Sequence, residues 1–184
     1  MSQLQYPDDL IKSILRSTKV IAMVGASGNE MRPSYFAMKY LLAKGFVIHP
    51  INPGMAGKEI LGQKVYASLR DAPAPVDMVD IFRGSDAAPA IVDEALAEKD
   101  RLGIKVIWMQ LGVINEDAAA KAHEAGLTVI MDRCPKIEYG RLSGEIGWIG
   151  VNRKLIDNRK PRLFGKGGSL KRADSKPRLS NKTD

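Results

Sequence analysis

The residues best placed to do chemistry in this chain form one short stretch, Gly25-Ala26-Ser27-Gly28-Asn29-Glu30-Met31-Arg32-Pro33-Ser34. Glycine lets a backbone turn tightly and approach a ligand closely, and the amides at a following helix start can hold phosphate oxygens. Ser27 and Ser34 add hydroxyls, and Arg32 adds a fixed positive charge. That combination predicts a pyrophosphate cradle; the competing reading is an ordinary strand-to-helix turn. The stretch is not a standard dinucleotide fingerprint. With the first glycine set at Gly25, Ser27 takes the place of the second. No Gly-Lys-Ser/Thr follows, so it is not a P-loop either.

Other candidates follow further apolar runs. His49-Pro50-Ile51-Asn52-Pro53 carries no Asp or Glu to hold a ribose 2′-hydroxyl, which counts against NAD. In Phe82-Arg83, an arginine can meet a phosphate bidentately while the ring lies against a base. Trp108, Gln110 and Gly112 pair an aromatic with an amide, which would line an apolar channel with one polar anchor. The competing readings there are a core Phe with a solvated Arg, and a partly buried Trp. Cys134 stands between Arg133 and Lys136, where positive charge would favour a thiolate; its plainer reading is a small packed residue beside Pro135. His49 reads as a packed or edge residue and His123 as a surface one. Asp77, Asp80 and Glu138 read as solvated or structural. No catalytic residue is assigned. One Cys and two distant His offer no metal-ligand spacing.

These residues need elements to position them. A helix is expected over residues 8–17, with Leu10, Ile11, Ile14 and Leu15 on one stripe. Residues 20–24 form an unbroken apolar run ending at Gly25, which reads as a strand covered on both faces. A second helix begins at Pro33 and closes at Gly45. A second strand over 46–49 is stopped by Pro50 and Pro53, and short turns with a small helix fill 54–74. Further strands are expected at 76–82, 105–109 and 127–131. Between them, a helix capped by Ser85 or Asp86 runs to about residue 100, and another is capped by Asn115. The pattern predicts a Rossmann-like, doubly wound, parallel five-stranded sheet in a three-layer α/β/α sandwich. In such folds ligands sit beyond the carboxyl ends of the strands, which is where the candidate residues fall.

Charge divides unevenly. The 184 residues hold 28 Lys and Arg against 21 Asp and Glu. Residues 151–184 take 11 of the basic and 3 of the acidic residues, a charge of +8, so residues 1–150 carry −1. The expectation is one globular domain over 1–150 and a basic, largely disordered tail over 151–184. The tail is either a solubilising extension or an arm for nucleic acid or anionic membrane. No apolar run is long enough for a membrane span, the first residues do not resemble a secretory signal, and one cysteine suits a reducing compartment; a cytoplasmic location is expected.

The segments VIAMVGAS, MRPS, INPG, LGQKVYASL, VDMVDIFR, VIWMQLGV and VIMDRCPKIEY together resemble the stand-alone CoA-binding domain family of the YccU type. The resemblance runs from about residue 10 to residue 142. Its fold is similar to the CoA-binding domain of the succinyl-CoA synthetase α subunit. It implies binding of CoA or an acyl-CoA. The diphosphate would fall on Gly25, Ala26 and Ser27, with Arg32 and Ser34 nearby. Asn52 and Pro53 would meet the nucleotide end, and Phe82 and Arg83 would flank adenine and pantetheine. Trp108, Gln110 and Gly112 would face the thiol arm. Arg83 and Lys58 are candidates for the 3′-phosphate. Phosphate transfer in such ligases uses a histidine of a second domain, which this chain is too short to contain. Two other functions stay open: a NAD(P)- or nucleotide-dependent Rossmann enzyme, and an adaptor working through its basic tail.

Overall fold

A computed structural model describes residues 4–143. The expected tail, residues 151–184, lies outside the described residues. The chain runs α1 (Asp8–Ser17), β1 (Val20–Val24), α2 (Pro33–Ala43), β2 (Val47–Ile51), a hairpin of β3 (Glu59–Ile60) and β4 (Gln63–Lys64), then β5 (Met78–Ile81). It continues through α3 (Ala88–Ala97), α4 (Lys99–Leu102), β6 (Val106–Met109), α5 (Glu116–Glu124), β7 (Thr128–Ile130) and α6 (Pro135–Leu142). The main sheet has five parallel strands in the order β2-β1-β5-β6-β7. Helices cover both faces, so the expected Rossmann-like α/β fold is present. The strand order reverses between β1 and β5, and that switch point opens a crevice at the carboxyl edge.

Each strand is apolar on both sides because each side meets a helix layer. Ala22, Val79, Ile107 and Val129 pack toward α3 and α5. Ile21, Met23, Trp108 and Ile130 pack toward α1, α2 and α6. An ion pair from Arg141 to Asp8 (2.8 Å) ties α6 to α1, and a second, from Arg141 to Glu138 (2.6 Å), lies within α6.

Several expectations need correction. β2 does not stop at Pro50 but continues through it to Ile51. Val47 donates its amide to Lys19 of the β1 side. Residues 47, 49 and 51 therefore point their nitrogens inward, and the Pro50 nitrogen faces the outer side of the sheet, where β2 is met only by an isolated bridge to Tyr66 and no β1 ladder bond is lost. Neither Ser85 nor Asp86 caps α3. The Ser85 hydroxyl instead bridges the next loop, accepting from the Ile114 amide (3.0 Å) and donating to the Gly112 carbonyl (3.3 Å). The segment from α3 also breaks near Glu98 into the single turn α4. Helix α6 was not expected at all.

Candidate functional site

At the switch point, β1 ends in Gly25 with φ +87°. A Cβ there would lie 2.5 Å from the Phe82 carbonyl oxygen and 2.9 Å from Arg83 Cδ, so only glycine lets the exits of β1 and β5 meet this closely. The Gly25 amide donates to Ile51. The next three amides, of Ala26, Ser27 and Gly28, have no hydrogen-bond partner among the described residues. The turn is held open around them. Asn52 donates from Nδ2 to the Ala26 carbonyl (2.7 Å) while its Oδ1 accepts from Gly54 (2.9 Å). The Ser27 hydroxyl accepts from Asn29, and Asn29 Oδ1 accepts from Met31. Pro33 then opens α2, whose first turn carries no acid to compete for an anion.

Beside this turn lies a cleft of about 650 Å³, within the size range of small-molecule sites. α2 contributes Pro33, Phe36 and Ala37; the β5 exit contributes Phe82, Arg83 and Gly84. Gln110, Leu111, Gly112 and Val113 come from the β6 exit, and Cys134, Lys136 and Ile137 from the start of α6. Of the expected site residues, Phe82, Arg83, Gln110 and Gly112 line this cleft. Gly25, Ala26, Ser27, Arg32 and Ser34 belong to the adjoining turn and the start of α2. There Arg32 is exposed and Ser34 is buried. Asn52 acts on the turn from its far side, and Pro53 opens a short 3-10 turn next to it. Lys58 is exposed at the hairpin and does not line the cleft.

Trp108 is not at the ligand edge. It is fully buried, and its indole N–H donates to the Arg133 carbonyl (2.8 Å). Its side chain points into the layer under α2 and α6 because it sits one residue out of phase with Ile107 and Met109.

Beneath the cleft, the structure decides between the solvated and structural readings of Asp80 in favour of the structural one. Asp80 is fully buried on β5, in register with Met23 and Trp108. Its Oδ1 accepts from Gln110 Nε2 (2.8 Å), and its Oδ2 has no partner among the described residues. Burial pushes its pKa up to about 7, against a smaller opposing pull from Gln110. With one Nε2 hydrogen engaged, Gln110 keeps its carbonyl oxygen and a second N–H to offer a ligand. An acid inside an unbroken apolar strand run was the available signal. Glu138 is likewise buried rather than solvated, and Asp77 caps the start of β1 by accepting from the Lys19 and Val20 amides.

The thiolate reading of Cys134 is also corrected. Burial raises its thiol pKa more than the neighbouring amides and Lys136 lower it. The flanking Arg133 is committed elsewhere, to the Leu4 carbonyl and the face of Tyr6. His49 is half-buried on the edge strand β2 against the Tyr66 ring, and His123 is exposed, as expected. Among the described residues, no group of three or more His, Cys, Asp and Glu could hold a metal ion, and no helix is long and apolar enough to cross a membrane.

A parallel sheet with a glycine turn and a cleft at its switch point defines a Rossmann-like ligand-binding domain. The chain belongs to the CoA binding domain family, whose model matches residues 19–140. It is 40% identical over 129 residues to the uncharacterized protein YneT of Bacillus subtilis, covering 70% of this chain and 91% of that one. A hypothetical protein from Pyrococcus horikoshii has a similar structure, with a TM-score of 0.70 and 36% identity over 77% of this chain and 99% of its own. The ADP-forming acetate–CoA ligase II of Archaeoglobus fulgidus is 39% identical over 90 residues, 47% of this chain but only 12% of the ligase.

Proposed function

We propose that this protein binds coenzyme A, holding the diphosphate on the unpaired amides of Ala26, Ser27 and Gly28 and on the Arg83 guanidinium. The carrying observation is that run of three orphan amides, placed where an arginine side chain and an apolar cleft converge. Backbone amides left unpaired at such a turn favour an anion, and arginine adds bidentate donation. Family membership supports CoA over other diphosphates, and the acid-free end of β2 supports it over NAD. The pantetheine arm then runs down the cleft past Phe82 toward Gln110 and Gly112. Gln110 offers its carbonyl to an amide N–H of that arm. In this reading the chain is a binding protein, and no catalytic role is given to any residue.

Calorimetric titration of the full chain with CoA, ATP and NAD tests the reading. Saturable binding of CoA, at least tenfold tighter than NAD, is expected. A clear NAD isotherm with none for CoA would overturn it. Arg83→Ala should weaken CoA about tenfold, in line with the loss of one charge-assisted contact.

A further inference from the structure

The cleft has more apolar surface than free CoA would use. Four of its residues stand well out of the core: Met31 is 82% exposed, Leu111 57%, Phe36 50% and Ile137 43%. They come from the turn before α2, from α2 itself, from the β6 exit and from α6, so four segments of the chain deliver large apolar side chains to one rim. Of the two cationic side chains that line the cleft, Arg83 lies at the β1 turn. The Lys136 ammonium sits 6.0 Å from the centre of the Tyr40 ring. A contiguous exposed apolar patch on a soluble domain marks a contact with something apolar.

The polarity of the site says which end of a ligand meets that rim. The orphan amides and Arg83 fix the anionic part at the β1 and β5 exits. Whatever extends beyond Gln110 and Gly112 must then lie along Leu111, Ile137 and Phe36. Free CoA ends there in a single thiol. A hydrocarbon chain joined to that thiol would cover the rim.

We infer that the loaded form this site selects is an acyl-CoA thioester carrying an apolar chain of several carbons, which lies along Phe36, Leu111 and Ile137. The inference rests on the CoA reading and adds the class of acyl group. Full burial of one methylene is worth about fourfold in affinity. A half-covered six-carbon chain should therefore gain about tenfold or more.

The experiment measures CoA, acetyl-CoA and hexanoyl-CoA binding to the full chain by calorimetry, and repeats it with a Phe36→Ser/Leu111→Asn double variant. The readout is the ratio of hexanoyl-CoA to CoA affinity within each protein. Support is a ratio of about ten or more in the parent, an intermediate value for acetyl-CoA, and a ratio below about three in the variant. Both substituted side chains are half or more exposed, and circular dichroism confirms that the variant is folded. If CoA binds but the parent ratio is near one, the acyl inference fails and the CoA reading survives. If neither ligand binds, both fail. Sedimentation of the ligand-free chain supplies a last check. A dimer that the double variant dissociates would assign the rim to a second copy and overturn the inference.

Discussion

Toward α3 and α5 the sheet presents Ala22, Val79, Ile107 and Val129; toward α1, α2 and α6 it presents Met23, Asp80, Trp108 and Ile130. The first face is aliphatic throughout, and α3 and α5 meet it with alanines at 88, 95, 118, 119 and 122. The small residues of the helices meet the mostly branched side chains of the strands, and none of these packed residues brings a polar side chain to satisfy. The second face holds Phe46, Trp108 and Tyr139, together with buried Ser34, Asp80 and Glu138. Larger side chains fill this layer, and the cleft lies at its edge, walled by α2, α6 and the β5 and β6 exits. One face supplies cohesion; the other supplies the room and the polar groups a ligand needs.

Substitutions that separate the faces sharpen this contrast. Trp108→Ala should cost about 3–5 kcal/mol by urea denaturation, since it removes a fully buried aromatic and its hydrogen bond to Arg133. Its aliphatic-face neighbour gives the opposite pattern. Ile107→Val should cost about 1 kcal/mol and leave CoA affinity within twofold. If Ile107→Val weakened binding as much as it weakened folding, the division of labour would be wrong.

Asp80 gives a pH test confined to the second face. Its carboxyl pKa is raised in the fold, so the neutral form is favoured there. The associated stability is fully present below about pH 4 and is lost as pH rises toward about 7. The difference in unfolding free energy between the parent and Asp80→Asn should shift by about 3 kcal/mol between pH 4.5 and pH 7, with the parent losing ground. A difference independent of pH would show that Asp80 is not held neutral.

At the turn, Gly25→Ala should destabilise by about 1–3 kcal/mol, from the positive φ and the 2.5 Å approach to the Phe82 carbonyl. Asn52→Ala should be milder, about 1 kcal/mol, while weakening CoA severalfold by releasing the Ala26 carbonyl. Thermal melts with and without CoA check both. Equal melting shifts on adding CoA to parent and Asn52→Ala would remove Asn52 from the account.

How much of this was legible follows from what each element depends on. α1 was readable to the residue because its apolar stripe and acidic first turn are local signals. β1, the start of α2 at Pro33 and the Asn115 cap were readable for the same reason; the Asn115 side chain does accept from Ala118 (2.9 Å). α6 was not, because Pro135–Leu142 is short and contains a glycine. It is held by tertiary contacts, with Tyr139 edge-on to the Tyr40 and Phe46 rings. The cleft suffered from that omission, since α6 forms one of its walls. Trp108 was misplaced, and the burial of Asp80 left undecided, because a run of strand residues does not say which helix layer each side chain meets. Pro50 misled because its effect depends on β2 being an edge strand, which is a property of sheet order.

The central claim concerns three amides, and they can be observed singly. In a backbone-amide NMR titration of the full chain with CoA, the largest chemical-shift changes should fall on Ala26, Ser27 and Gly28, and Arg83→Ala should reduce them at equal CoA concentration. Saturable CoA binding that leaves those three resonances unmoved would contradict the account.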